Sequence, residues 1–177
     1  RHGGTLDKFI GDALMAFFNA PIDQRDHARE ACLAAREMIT ELDRQRPAFL
    51  SKYGIDVQMG IGINSGAVSV GNMGTGASLH YTVIGDQVNL ASRLESATRH
   101  YDAAILTSHF TLAEMEKTGS EVIPHRIIDK VRVKGKKIGI DLVEICPTHW
   151  NEEGLLLFEQ GRKQYLARDW IAAISSF

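Results

Sequence analysis

Three short stretches of this sequence carry side chains that could do chemistry together. Lys8-Phe9-Ile10-Gly11-Asp12 sets an ammonium and a carboxylate four residues apart, with Gly11-Asp12 as a two-residue turn. A carboxylate at a tight turn projects its oxygens clear of the sheet, where a hard divalent cation can sit. Asp is equally at home in such a turn for backbone reasons alone. By two-residue alternation Lys8 shares a strand face with Ile10 and Asp12. In Val88 to Leu94 the apolar Leu90, Ala91, Leu94 and Ala97 fall on one helical arc, while Asn89 and Arg93, four apart, share the opposite arc. An amide and a guanidinium presented together just after Gly85-Asp86 can orient a sugar and a phosphate, and the same pair also suits a plain solvated face. The third stretch, Gly71-Asn72-Met73-Gly74-Thr75-Gly76, lacks the Lys-Ser/Thr ending of a phosphate-cradling loop and reads as a flexible loop leading to Tyr81.

The elements that must position these residues follow from the pattern. Apolar runs at Phe9-Ile10 and Ala13 to Phe18 around Gly11-Asp12 predict a hairpin. Asp26 to Arg46 has helical periodicity, with Ala28, Ala31, Cys32, Ala35, Met38, Ile39 and Leu42 on one face, and Pro47 is expected to end or kink that helix. Val57 to Val70 alternates around Asn64-Ser65-Gly66 and predicts a second hairpin. Gly60 and Gly62 within it suggest a strand approached closely by another backbone or by a ligand. Tyr81 to Ile84 reads as a strand, Asp86 to about Tyr101 as a helix and Ile105 to Thr107 as a strand. Ser108 then caps a short helix, and Val122 to Ile145 holds more strand turning at Lys134-Gly135-Lys136. Helices interleaved with hairpins indicate an α+β fold with helices packed on a sheet, not a doubly wound parallel sheet. Pro147 to Glu153 reads as a linker, followed by helices at Leu155 to Ala167 and Trp170 to Phe177. These are either a helical extension packed on its neighbour or the start of a tetratricopeptide-like repeat, since Gly161 and Ala173-x3-Phe177 fit parts of that pattern.

Composition narrows the classes. The 177 residues carry a formal net charge of −2, so no long-range field draws the chain to nucleic acid or an acidic membrane, and any nucleotide is recognised locally. The longest apolar run, Ala13 to Phe18, is too short to span a bilayer. No signal-peptide pattern opens the sequence, and Cys32 and Cys146 have no metal-ligand spacing and read as reduced core residues, so the expectation is cytoplasmic.

Taken together, the segments resemble the catalytic domain of class III nucleotidyl cyclases, the adenylyl and guanylyl cyclases. Gly3 to Ala13 resembles their metal-binding hairpin, Tyr81 to Leu94 their substrate-binding segment, and Val133-Lys134-Gly135 their late phosphate-side turn. The resemblance implies the nucleotide cyclase fold, a ferredoxin-like, palm-type antiparallel sheet with packed helices, over residues 1–147, with residues 148–177 as a linker and helical hairpin. It implies ATP as substrate, two Mg²⁺ or Mn²⁺ ions, and a homodimer with two equivalent sites. Asp12 then matches the second of two metal-binding aspartates, Lys8 and Thr82 the adenine-reading pair, Asn89 the ribose-orienting residue and Arg93 the α-phosphate residue, with Lys134 a candidate for the terminal phosphates. Threonine at position 82 is similar to the bicarbonate-responsive branch.

The sequence also departs from the family. The opening strand with its first metal aspartate is absent, so the expectation is a fragment that is itself inactive or nearly so, cut from an active parent with a possible upstream sensor and downstream helical repeats. Ser78 stands where many bacterial members carry an arginine facing the triphosphate. The alternatives are a guanylate cyclase, or a catalytically silent module that binds nucleotide and signals by dimerising. Guanylyl cyclases typically carry Glu at the position of Lys8, and a lysine suits the acceptor N1 of adenine, not the N1–H of guanine. Lys8→Glu should therefore cut ATP turnover at least about tenfold, the weight of one charge-assisted hydrogen bond. Unchanged nucleotide preference in a cyclic nucleotide assay would refute the adenine assignment.

Overall fold

The computed structural model describes residues 1–76, 78–119, 121, 123–132, 139–146 and 151–177. The Lys134-Gly135-Lys136 turn and most of the linker after Pro147 lie outside the described residues, as does the side chain of Ser78. Among the described residues the strands are β1 (Thr5–Ile10), β2 (Ala13–Phe17), β3 (Ile61–Ile63), β4 (Ser69–Thr75), β5 (Ser78–Ile84), β6 (Ile105–Ser108), β7 (His125–Val131) and β8 (Ile140–Ile145). The helices are α1 (His27–Tyr53), α2 (Asp86–Tyr101), α3 (His109–Thr118), α4 (Glu152–Leu166) and α5 (Trp170–Ser176). The architecture is α+β, as the order of elements predicts. A four-stranded sheet in the order β3-β6-β8-β7 forms the centre, flanked by the two-stranded ribbons β1-β2 and β4-β5.

The inner strands of the sheet are buried on both faces, and β6 shows why. Its four residues, Ile105 to Ser108, are all buried, and alternation sends Ile105 one way and Leu106 the other. Ile105 and Ile145 pack with Ala28, Cys32, Ala35 and Ile39 of α1 and Met115 of α3. Leu106, Ile140 and Leu142 pack with Leu90 and Leu94 of α2. Both cysteines are buried and free. Burial pushes the Cys32 thiol up to about 12 and the Cys146 thiol up to about 11, so both stay protonated and inert.

The structure corrects three expectations. First, α1 does not end at Pro47 but continues to Tyr53, where Gly54 in the left-handed conformation caps it by donating to the Leu50 carbonyl. Pro47 removes one ladder donor, and Arg46 ties that part of the helix to Asp43, Asp56 and the Val57 carbonyl. Second, Asn64-Ser65-Gly66 is no hairpin turn. β3 pairs in parallel with β6 instead of with β4, because there it lies beside a fully buried strand and directly under α2. Third, the supposed glycine-rich loop is strand. β4 pairs antiparallel with β5 from Ser69↔Ile84 to Thr75↔Ser78. The β1-β2 hairpin is as expected, and Gly11 takes φ +64° in its turn, which glycine adopts without strain.

The close approach expected at Gly60 and Gly62 comes from α2, by its backbone at Gly62 and by the Thr98 side chain at Gly60. A Cβ on Gly62 would lie 2.2 Å from both the Ala91 carbonyl oxygen and the Glu95 nitrogen of α2. A Cβ on Gly60 would lie 2.1 Å from Thr98 Oγ1. α2 thus sits directly on β3. Its far end is held by the Tyr101 hydroxyl, which donates to Asp129 Oδ2 at 2.5 Å. Partial burial first, and Asp129 second, push that phenol up to about 12.

The helices α4 and α5 form a hairpin in which Gly161 and Ala173 are the buried small residues and Phe158 meets Phe177 at 5.4 Å. The hairpin touches β7 where the Arg126 guanidinium stacks 4.3 Å from the Phe158 ring centre. Arg126 also donates to the buried Glu144 at 2.5 Å. Burial raises the Glu144 carboxyl above its ordinary range, an effect that Arg126 only partly offsets.

Gly62→Ala should lower unfolding stability by about 3 kcal/mol, because the clash is with backbone that cannot rotate away. Gly71→Ala, with nothing within 4 Å of its added methyl, is the near-neutral control. Equal urea midpoints for the two variants would show that α2 does not rest on Gly62.

Candidate active site

β1 and β5 bring Lys8 and Thr82 together. Lys8 Nζ donates to Thr82 Oγ1 at 3.1 Å, and the Thr82 hydroxyl donates in turn to Asp7 Oδ2 at 2.7 Å. Lys8 Nζ also lies 3.6 Å from Asp7 Oδ1. The Asp7 side chain is 1% exposed and that of Lys8 45%, so the carboxylate is an internal anchor and the ammonium faces outward.

Adjacent residues on a regular strand point to opposite faces, yet Asp7 and Lys8 both reach Thr82. The pairing of β1 with β2 explains this. Leu6 faces Ala16 and Lys8 faces Met15, so Asp7 is the extra residue of a bulge. A bulge re-aims side chains that alternation would separate. Sequence reasoning missed Asp7, since two-residue alternation removes it from the Lys8 face. The available signal was an acidic residue placed directly beside the lysine in an otherwise apolar strand.

Asn89 and Arg93 lie on the exposed face of α2, opposite the buried Leu90 and Leu94, as the spacing predicts. The position of that face is fixed from three sides. β5 runs into α2 through Gly85, whose carbonyl accepts from the Val88 and Asn89 amides. Asn64, at the end of β3, donates through Nδ2 to the Gln87 carbonyl at 3.1 Å and to Gln87 Oε1 at 2.9 Å. Ser108 donates to Asn64 Oδ1 at 2.5 Å, which joins β6 to the same knot. Six residues therefore separate Thr82 from Asn89, along a path pinned at Gly85 and Gln87.

Asp12 is exposed at the tip of the β1-β2 hairpin, and among the described residues no hydrogen bond or ion pair engages its carboxylate. No cluster of three or more His, Cys, Asp or Glu side chains suited to a metal occurs among the described residues. The Asp12 carboxylate is a hard oxygen donor of the kind that Mg²⁺ or Mn²⁺ can share with substrate phosphates at nucleotide sites, where one or two carboxylates suffice. Lys134, expected near the terminal phosphates, lies outside the described residues.

The arrangement joins a donor and an acceptor on one edge, Lys8 and Thr82, to an amide and a guanidinium on a neighbouring helix face. Comparison with known proteins gives this geometry a context. Residues 6–145 match the family model for the adenylate and guanylate cyclase catalytic domain. The chain is 38% identical to the terminal-differentiation-specific adenylate cyclase of Dictyostelium discoideum, over 99% of this chain and 8% of that protein. Its fold is similar to that of the guanylyl cyclase Cya2, with TM-score 0.69 and 34% identity over 85% of this chain and 74% of the other. It is similar to the same degree to the adenylyl cyclase CyaB from P. aeruginosa, with TM-score 0.66 and 36% identity over 84% and 74% of the two chains. The chain spans between 8% and 28% of the length of the curated adenylate cyclases it matches. Among the described residues no helix is long and apolar enough to cross a membrane.

Proposed function

The chain belongs to the adenylate and guanylate cyclase catalytic domain family, and from that premise we propose that it converts ATP to 3′,5′-cyclic AMP and pyrophosphate. Overall likeness does not choose the purine, since an adenylyl and a guanylyl cyclase match almost equally well. The observation that carries the choice is the Lys8–Thr82 pair, an outward-facing ammonium hydrogen-bonded to a hydroxyl. Lys8 donates to N1 of adenine and Thr82 meets the 6-amino group.

The ribose 3′-oxygen attacks the α-phosphorus in line, and pyrophosphate leaves. Asn89 orients the ribose for this attack from the exposed face of α2. Arg93, one turn further on the same face, presents fixed positive charge where the transition state concentrates negative charge on the α-phosphate. Lys134 is assigned to the terminal phosphates. When bound, divalent cations held by Asp12 and the triphosphate neutralise the phosphates and acidify the attacking hydroxyl.

The site is shared between two copies of the chain in a homodimer, Asp12 from one and Lys8, Thr82, Asn89 and Arg93 from the other. Exposed apolar side chains around these elements support a covering partner. Phe9, Ile10, Leu14, Leu79 and Ile84 are each about half exposed or more. The free buried thiols support a cytoplasmic setting. Residues 1–147 act as the catalytic domain, while the α4-α5 hairpin, held on β7 by Arg126 and Phe158, acts as an appended helical unit.

The test is cyclic AMP production from ATP with Mn²⁺ by the full-length protein. Turnover is expected, and Arg93→Ala should reduce kcat by about 10²–10³ fold with little change in ATP affinity. A dimer that turns over neither ATP nor GTP would instead identify a silent nucleotide-binding module.

A further inference from the structure

We propose that Asp7 sets the purine preference of the site by fixing the direction of the Thr82 hydroxyl, an inference that rests on the cyclase reading above. A threonine hydroxyl has one proton and two lone pairs. At Thr82 the proton goes to Asp7 Oδ2 at 2.7 Å, and one lone pair receives the Lys8 ammonium at 3.1 Å. What remains for a base is a lone pair, and no donor.

The constraint is strong because of what Asp7 is. An ionised carboxylate only accepts, so it gains nothing if the hydroxyl turns around. Its side chain is 1% exposed, so water does not replace the lost proton, and an unsatisfied buried oxygen is costly. The bulge in β1 is what puts the carboxylate there.

The consequence is a polarity filter. The free lone pair of Thr82 accepts from the 6-amino group of adenine. Guanine in the same pose presents O6, and two acceptors then face each other. Lys8 acts in the same sense, donating to N1 of adenine and opposing the N1–H of guanine. Asp7 touches neither edge of the base. It is a positioning residue that makes Thr82 an acceptor, in addition to pairing with Lys8.

The experiment measures kcat/KM for ATP and for GTP in the full-length protein, unmutated and as Asp7→Asn, Thr82→Val, Thr82→Ser and the Asp7→Asn/Thr82→Val double variant. Asn can donate as well as accept, so Asp7→Asn frees the hydroxyl to turn. The ATP:GTP ratio should fall about tenfold, carried by KM and not by kcat, with a comparable fall in Thr82→Val. In the Thr82→Val background Asp7→Asn should add nothing to the ratio. An unchanged ratio in Asp7→Asn overturns the inference, as does an equal shift with and without the Thr82 hydroxyl, which would mean that Asp7 acts through Lys8. Thr82→Ser keeps a hydroxyl for Asp7 to hold and should keep the ratio. If Thr82→Ser and Thr82→Val discriminate alike, the hydroxyl is not the reader and the inference falls, even should Asp7→Asn fail to fold. Absence of turnover of both triphosphates by the unmutated protein would remove the cyclase reading alone. ATP and GTP binding by calorimetry would then read the same ratio, and equal binding would overturn this inference too.

Discussion

The contact between the backbone of α2 and the backbone of β3 is the constraint on which the rest of this molecule depends. At Gly62 the two approach so closely that a methyl group would lie 2.2 Å from main-chain atoms of the helix. Because α2 lies there, Leu90 and Leu94 enter the core beside Leu106 and Leu142, and the opposite face of the helix, with Asn89 and Arg93, is turned outward. Because β5 leads into α2 with only Gly85 between, the same contact sets where Thr82 stands. The Asn64 bridge from β3 and Ser108 to Gln87 then locks the first turn of the helix in rotation as well as position.

Lys8 enters this frame from another ribbon, and its link to Thr82 joins β1 to β5. The joint is built on an irregularity. A regular strand would have sent Asp7 to the far side of β1, leaving Lys8 without its carboxylate and Thr82 without its acceptor. One extra residue between Leu6 and Lys8 brings both side chains to the same hydroxyl. A buried carboxylate with two partners costs desolvation, and its two interactions offset that cost locally. Stability alone would be served as well by an apolar residue, so the charge at Asp7 accords with the recognition role proposed for it.

Much of this was legible from sequence where one physical rule dominated. The Gly11-Asp12 turn and the amphipathic pattern of α2 are local signals found in the structure, and of the two readings left open at Gly60 and Gly62, a neighbouring backbone or a ligand, the structure shows close approach by α2. Where the reading failed, tertiary partners had overridden local pattern. Asn64-Ser65-Gly66 looks like a hairpin turn, but β3 gains more from the fully buried β6 than from β4. The glycines from Gly71 to Gly76 suggested a loop, yet a ribbon exposed on one side tolerates them in strand. Of the two outcomes expected at Pro47, an end or a kink, the end does not occur, since the helix runs on to Tyr53. Asp7 was missed for a sharper reason, because the bulge reverses the face that alternation assigns, and its acidic side chain beside Lys8 was the one signal against that assignment. The exposed placement of Asn89 and Arg93 matched the spacing, whereas their chemical roles came from resemblance to a family and not from periodicity.

A site divided between two copies of the chain can be probed by mixing inactive variants. Full-length Asp12→Asn and Arg93→Ala proteins would be combined after subunit exchange and assayed for cyclic AMP formation from ATP with Mn²⁺. A heterodimer of the two places both defects in one site and leaves the other intact. The equal mixture should recover about a quarter of unmutated activity, since half the dimers are mixed and each carries one whole site. A mixture no more active than the sum of its two components would contradict the shared site and place Asp12 and Arg93 in the same half.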